Sequence, residues 1–131
     1  MLSAVSVIIK KCGAEGENMT CLFCNIIDKK IPAKIIFENE HYLAFNDIAP
    51  QAPIHILIIP KKHIATLNQA DSSDTNLLGE LMQIAKNLAQ QLNIDQDGYR
   101  VLMNCNQNGG QAVYHIHLHL LGGRQMSWPP G

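Results

Sequence analysis

The stretch from His115 to Leu120 constrains the fold more than any other, because histidine and aliphatic residues alternate strictly along it. Side chains of a β-strand point alternately to opposite faces, so a strand here carries three imidazoles on one face. The aliphatic residues Ile116, Leu118 and Leu120 then occupy the other face and can anchor a core. The pattern therefore predicts a strand with one core face and one face of groups that titrate near neutral pH.

The composition describes one globular domain without an obvious affinity for polyanions. The chain has 131 residues, of which 47% are hydrophobic and 16% charged, and its formal net charge is -1. That balance excludes general attraction to nucleic acid or to an anionic membrane, and no apolar run reaches the roughly 18 residues of a membrane span. The apolar stretch at the N-terminus is short and precedes Lys10 and Lys11, which is not the pattern of a signal peptide. We therefore expect a cytoplasmic protein whose four cysteines are reduced or bind a metal.

The remaining patterns predict an α+β architecture. A short helix capped by Thr20, three strands, a long amphipathic helix opened by Asp71 and two further strands follow one another. The five strands are predicted at 35–38, 41–45, 54–59, 99–104 and 115–121. Hairpin-like connections imply a mostly antiparallel sheet with helices packed against it. Residues 1–18 are predicted to be a flexible leader to a domain at 19–131.

A polar loop at 106–111 leads directly into the histidine stretch and contains Gly109 and Gly110. Backbone N–H groups of such a loop can approach a phosphate closely, because glycine has no Cβ in the way. A phosphate held there would lie beside the imidazoles, and a neutral imidazole is a competent nucleophile toward phosphorus. Phosphate chemistry, three ligands for a metal, and a strand that merely carries polar residues all fit the pattern.

Residues 109–121 resemble the histidine-triad signature, in which three histidines alternate with apolar residues and two apolar residues follow. The tail at 122–131 is similar to that of the Hint branch, the histidine triad nucleotide-binding proteins. Two further segments, at 47–55 and 59–64, also match, so the resemblance covers residues 19–131. It implies the HIT fold, with a five-stranded mostly antiparallel sheet, one long and one short helix, and a homodimer whose sheets join into one.

The resemblance implies a purine nucleoside phosphoramidase, which cleaves the P–N bond of adenosine 5′-monophosphoramidates and requires no cofactor for catalysis. Hydrolysis of aminoacyl-adenylates is a further activity that the resemblance allows. On the family pattern His117 is the nucleophile that becomes adenylylated, and His119 contacts the phosphate and helps to polarise it. His115 and His55 support and orient the catalytic imidazole. The resemblance also assigns residues to the nucleotide site: Leu22, Phe23, Ile26, Phe45, Asp47, Ile48, Leu57, Asn104, Gly110, Gln111, Ala112 and Trp128.

These nucleotide-site residues have different expected roles. Asp47 would accept hydrogen bonds from the ribose hydroxyls, and Trp128 would approach the active site of the partner subunit or pack on its own chain. The apolar members match a purine pocket, although apolar residues at such spacings are more often core. Ala112 stands where many Hint proteins have a serine that contacts the phosphate or the leaving group. Its side chain cannot donate that hydrogen bond, so we expect weaker handling of the leaving group.

A zinc site is a further expectation. Cys21 and Cys24 form a C-x-x-C at helical spacing, but two thiolates cannot complete a tetrahedral zinc site. Several bacterial histidine-triad proteins resemble this chain here, and their ligand set maps onto these cysteines with His63 and His115. The alternative is a pair of reduced, partly buried thiols.

Two other functions remain open at this point. One is hydrolysis of dinucleoside polyphosphates, as in the Fhit branch, although the Hint-like tail and the segment 47–53 argue against it. The other is a regulatory module that binds nucleotides and whose catalysis is incidental, because binding and catalysis would share one pocket.

Overall fold

A computed structural model describes residues 20–131, and the predicted leader lies outside them. The elements in chain order are α1 (Leu22–Ile27), β1 (Ile35–Glu38), β2 (Tyr42–Asn46), β3 (Ile54–Pro60), α2 (Thr75–Gln91), β4 (Tyr99–Leu102), α3 (Asn106–Gly109) and β5 (Leu118–Gly122). No helix within the described part of the chain is long and apolar enough to cross a membrane.

The five strands form one antiparallel sheet in the order β1-β2-β3-β5-β4, which confirms the predicted α+β fold class. β3 lies at the centre, and its partner β5 places Leu57 opposite His119 and His55 opposite Leu121. The two halves of the predicted site, the segment around His55 and the histidine stretch, are therefore neighbours in the sheet. Sheet pairing brings together side chains that are 64 positions apart in sequence.

Both faces of the sheet are covered, and β3 carries apolar residues toward each of them. Ile56 and Ile58 pack in one core cluster with the buried stripe of α2, which includes Leu81 and Leu88. On the other face α1 packs against the sheet, with these buried residues in one cluster: Phe23, Cys24, Ile26, Ile27, Leu43, Phe45, Leu57 and Ile59. The α1 side of the sheet is the side on which the imidazoles lie, since Phe23 contacts two of them.

The histidine stretch differs from its prediction in one respect. Ile116, Leu118 and Leu120 belong to the α2 core as expected, but the strand begins only at Leu118. The prediction that His115 and His117 lie within the strand is therefore wrong. The Ile116 N–H donates to the Ile64 carbonyl oxygen at 2.8 Å, so this N–H is used by a hydrogen bond outside the sheet and cannot pair with a neighbouring strand.

Three other local predictions need correction. Cys21, and not Thr20, is the N-cap of α1, and its Sγ accepts from the Cys24 N–H at 3.3 Å. The polar loop contains a single helical turn, α3, which ends where Gly110 adopts a left-handed φ of 79°. Asp71 does not cap α2 itself: it accepts from the Ser73 N–H at the start of a separate 3-10 turn, Ser72–Asp74, and Asp74 is the N-cap of α2 without a side-chain cap bond.

Candidate active site

An apolar pocket of about 770 Å³ opens between α1, the end of β2 and the histidine stretch. Ten predicted site residues line it: Leu22, Phe23, Ile26, Phe45, Asp47, Ile48, Leu57, Ala112, His117 and His119. Six more were missed from the sequence: Ile31, Pro32, Ala33, Lys34, Asn46 and Val113. Most of these follow α1 in a segment without a periodic pattern, so no sequence signal marked them.

His117 lies buried at the base of this pocket with its ring edge-on to Phe23, at a centroid distance of 5.0 Å. Its Nδ1 donates to the His115 carbonyl oxygen at 2.7 Å, which assigns the ring proton to Nδ1. Burial lowers the pKa of His117 below its ordinary value, so the ring is neutral at pH 7. The other nitrogen, Nε2, therefore carries an available lone pair.

A separate series of hydrogen bonds fixes the tautomers of His55 and His119. The Gln51 N–H donates to His55 Nδ1 at 2.9 Å, so the proton of the neutral His55 ring lies on Nε2. His55 Nε2 in turn donates to His119 Nδ1 at 2.9 Å, so the proton of His119 lies on its own Nε2. Burial lowers the pKa of His55 as well, against the opposing charge of Asp47.

His119 Nε2 is buried and has no hydrogen-bond partner among residues 20–131. Burial, with His117 and His55 adding to it, lowers the pKa of His119 to about 4, which keeps the ring neutral. An unsatisfied buried N–H is costly unless a bound group accepts from it. The pocket therefore presents one lone pair, on His117, and one N–H donor, on His119, from rings whose centroids are 5.0 Å apart.

Asp47 is the carboxylate of the pocket. Its Oδ1 accepts from the Ala49 N–H at 2.8 Å, and its Oδ2 lies 3.4 Å from His55 Nε2. Donor atoms of Asp47, His55 and His119 lie within 4.8 Å of one another, as metal ligands would. The hydrogen bonds argue for a proton here instead, because a metal on His55 Nε2 would require the ring to give up the Gln51 N–H.

The four predicted zinc ligands converge on the other side of His115. Cys21, Cys24, His63 and His115 offer donor atoms that lie within 4.8 Å of one another. His115 Nδ1 lies 3.1 Å from His63 Nδ1 and 3.6 Å from the sulfur atoms of both cysteines. We call these four residues the Cys/His cluster.

The protonation of His115 suits a metal ligand. Its Nε2 donates to the Pro60 carbonyl oxygen at 2.8 Å, so Nδ1 carries the lone pair and faces the cluster. Burial lowers the pKa of His115 to about 3, because the ring is fully enclosed. Two thiols and two imidazole nitrogens are a donor set that zinc prefers, so the residues fit this metal.

The expectation of reduced cysteines is met at two positions of the described chain, since Cys21 and Cys105 are free thiols. Cys24 could serve as a metal ligand only in its reduced form, because the thiolate is the ligand species.

Four predicted nucleotide contacts lie outside the pocket lining: Asn104, Gly110, Gln111 and Trp128. The buried Gln111 side chain donates to the carbonyl oxygens of Ala65 and Val113 and accepts from the Asn106 N–H, so it holds the loop together. Trp128 is 82% exposed on the tail. Within one chain, then, Gln111 holds the loop in place and the Trp128 side chain is exposed.

The lowered pKa of His119 predicts a pH-dependent contribution to stability. Between pH 6.5 and about 4 an unfolded chain takes up a proton that the folded His119 does not, so the free energy of unfolding decreases as pH falls through this window. We expect His119→Asn to make this decrease shallower, as measured by urea unfolding at pH 7, 6 and 5. His41→Asn, which removes an exposed imidazole, is the matched control. Equal slopes in wild type and His119→Asn would contradict the prediction.

Comparison with known proteins agrees with this geometry. Residues 28–126 match the model of the HIT domain. The 14 kDa zinc-binding protein of Zea mays is 52% identical over 88% of this chain and 91% of its own length. A HIT family hydrolase from Legionella pneumophila superposes with a TM-score of 0.84 at 58% identity, over 86% of this chain and all of the other.

A third relative, a histidine triad nucleotide-binding protein from Candida albicans, superposes with a TM-score of 0.72 at 34% identity. That match covers 84% of this chain and 83% of the Candida protein. The family match, the sequence identities and the superpositions together establish that this chain belongs to the HIT domain family.

Proposed function

We propose that the protein is a purine nucleoside phosphoramidase of the Hint branch, which hydrolyses the P–N bond of adenosine 5′-monophosphoramidates. The observation that carries the proposal is the pair formed by the bare Nε2 of His117 and the unsatisfied Nε2–H of His119. A nucleophilic lone pair and a donor without an acceptor, side by side in one pocket, suit a tetrahedral phosphorus with anionic oxygens.

The pocket supports a purine nucleotide in one orientation. Its apolar part offers faces for a purine: Leu22, Phe23, Ile26, Phe45 and Leu57. Asp47 lies between this part and the histidines, where its carboxylate can accept from ribose hydroxyls. Ile48 is fully exposed at the mouth, so its side chain is free to cover a bound base.

The proposed reaction runs in two displacements at phosphorus. The lone pair on His117 Nε2 forms a bond to phosphorus as the P–N bond breaks, and the leaving nitrogen keeps that electron pair, takes a proton from solvent and departs as the amine. A water molecule then attacks phosphorus and the bond to His117 Nε2 breaks, so that the phosphate takes a hydroxyl and the other proton of the water goes to solvent. His119 remains neutral and donates its Nε2–H to a phosphate oxygen, where negative charge develops. The product is AMP, and His117 is returned unchanged.

The names of two relatives support the chemistry at a coarser level. The Legionella relative is called a hydrolase and the Candida relative a nucleotide-binding protein. Neither name states which bond is cleaved. The P–N bond, and the alternative of a dinucleoside polyphosphate, are therefore matters for direct assay.

Ala112 bears on the rate and not on the class of reaction. It lines the pocket with the two histidines, where a serine hydroxyl would reach the phosphate or the leaving group. The absence of one such donor weakens the stabilisation of the transition state by about 1–3 kcal/mol unless a water replaces it. Amines that leave readily should therefore be the better substrates of this chain.

His117→Ala tests the proposal. We expect wild-type protein to release amine from a fluorogenic adenosine phosphoramidate and the variant to be slower by about 10⁴-fold or more, because the nucleophile is absent. The same assay with diadenosine polyphosphates identifies the competing hydrolase activity. Mass spectrometry should detect an adenylyl group on wild-type protein only.

AMP binding by His117→Ala is the control for correct folding of the pocket. If wild type and variant both bind AMP but neither releases amine, the phosphoramidase proposal is wrong and the regulatory nucleotide-binding module is favoured. If diadenosine polyphosphates are cleaved faster than the phosphoramidate, the Fhit-like activity is favoured instead.

We also propose that the Cys/His cluster binds zinc in a structural role. The donor set, the orientation of His115 Nδ1 and the name of the maize relative, a zinc-binding protein, support this. When bound, zinc would hold α1, through Cys21 and Cys24, against the segments that carry His63 and His115. His55, His117 and His119 would remain free of this metal.

Zinc content tests this second proposal. Protein purified under reducing conditions, without added zinc or chelator, should contain about one zinc per chain. Cys24→Ser should lose most of it and unfold at a lower temperature, whereas Cys105→Ser, which removes a thiol outside the cluster, should keep it. No zinc in the wild-type protein would overturn the proposal.

We propose, third, a homodimer that forms along β4. This strand is one edge of the sheet and pairs only with β5 within residues 20–131. Tyr99 on β4 and Met82 on α2 are apolar and exposed, at 36% and 51%. An edge strand without a partner on one side, together with exposed apolar side chains on β4 and α2, is suited to pairing with a second copy.

Light scattering should therefore give twice the 14.5 kDa of one chain. Met82→Glu should shift the protein toward the monomer, because a carboxylate would be buried in the interface. Leu67→Glu is the matched control, since Leu67 is similarly exposed but lies in a 3-10 turn outside α2 and β4. A monomeric wild type would contradict the proposal.

A further inference from the structure

The tail that follows β5 is held against the loop at 47–53, which precedes His55, by the side chain of Arg124. Arg124 donates from Nε to the Gln51 carbonyl oxygen at 3.0 Å and from Nη1 to the Gln125 carbonyl oxygen at 3.1 Å. The planar guanidinium joins the two carbonyls with fixed directions, which a flexible ammonium would not do. The side chain of Arg124 is not part of the pocket lining.

Close packing also brings the tail to this loop. Gly123 has a φ of 88°, and a Cβ at its position would lie 3.0 Å from the Cβ of Pro53. Because glycine has no side chain there, the tail can turn directly against the loop, and the next residue is Arg124. Two adjacent tail residues thus contact the loop at two points, Pro53 and Gln51.

The same loop supplies the backbone N–H that fixes His55. Gln51 donates to His55 Nδ1, while Asp47 accepts from the Ala49 N–H and donates its own N–H to the His55 carbonyl. The Gln51 N–H is a main-chain group, so its direction depends on how the loop is held and not on a rotamer. Arg124 holds the carbonyl of that same residue.

We propose that Arg124 is a positioning residue for the active site: by holding Gln51, it keeps His119 protonated at Nε2. If the Gln51 N–H moves away, the proton of His55 can shift to Nδ1, and His55 Nε2 then accepts from His119 Nδ1. That exchange moves the proton of His119 to Nδ1 and leaves a lone pair, not a donor, facing the pocket. The consequence for catalysis rests on the proposed function, but the tautomers themselves do not.

The direct test is ¹⁵N NMR of the imidazole nitrogens in Arg124→Ala. In wild type, His119 and His55 should each be protonated at Nε2 and bare at Nδ1. In the variant a substantial fraction of both rings should show the opposite pattern, while His117, whose proton is held by the His115 carbonyl, keeps its own. Unchanged signals from His55 and His119 would overturn the inference, whatever the activity assays show.

Arg100→Ala is the matched control. Arg100, on β4, also donates to a tail carbonyl, that of Ser127 at 3.0 Å, but it has no bond to the loop. Its removal loosens the tail elsewhere, so the imidazole signals should remain those of wild type. If Arg100→Ala changes the signals as much as Arg124→Ala does, the effect comes from the tail in general and the inference is wrong.

Kinetics give a second readout that depends on the proposed reaction. Arg124→Ala should lower kcat by about tenfold to a hundredfold with little change in KM, because donor orientation is lost while the purine site is intact. If the tautomers change and neither protein cleaves a phosphoramidate, the inference stands and the proposed function fails. If the tautomers change and kcat does not, the catalytic part of the inference fails.

Discussion

The arrangement of both candidate sites depends on which nitrogen of each buried imidazole carries its proton. Two main-chain carbonyls and one main-chain N–H determine this: Pro60 accepts from His115, the His115 carbonyl accepts from His117, and Gln51 donates to His55. Since the rings are buried and neutral, each has one donor and one acceptor, and fixing one nitrogen fixes the other. The backbone thereby gives three side chains of one type different groups: a bare lone pair on His117, an N–H donor on His119 and a lone pair on His115 that faces the cysteines.

The central strand makes this possible because most of its side chains are apolar. β3 buries apolar side chains on both sides, against α2 and against α1, so packing on both faces holds it in the sheet. His55 is the second residue of β3, where it lies opposite Leu121 and next to the loop whose Gln51 N–H holds its ring. The cost of burying several imidazoles is met by their mutual hydrogen bonds and by carbonyls, except at His119 Nε2, where the pocket supplies no acceptor.

Periodicity predicted the parts of the fold that depend on burial alone. The predicted long helix is amphipathic and buries the stripe that includes Leu81 and Leu88, and the histidine stretch buries Ile116, Leu118 and Leu120 as predicted. The resemblance located most of the pocket as well. What the sequence could not show is the hydrogen-bonded partner of each imidazole, because Pro60, Ile64 and Gln51 are ordinary residues whose main-chain groups have no sequence signature. For the same reason the departure of His115 and His117 from the strand was missed.

His115 contacts both the Cys/His cluster and His117 of the pocket. It can do so because it lies outside the strand. Its ring faces the cysteines through Nδ1, while its carbonyl holds the Nδ1–H of His117 at 2.7 Å. In a regular strand that carbonyl would bond to a neighbouring strand and could not accept from a side chain two residues later. The bend at His115 turns the carbonyl toward His117 and the ring toward Cys24 at once. Any change that reorients His115, such as a change in the state of the Cys/His cluster, therefore acts directly on the group that keeps His117 Nε2 bare.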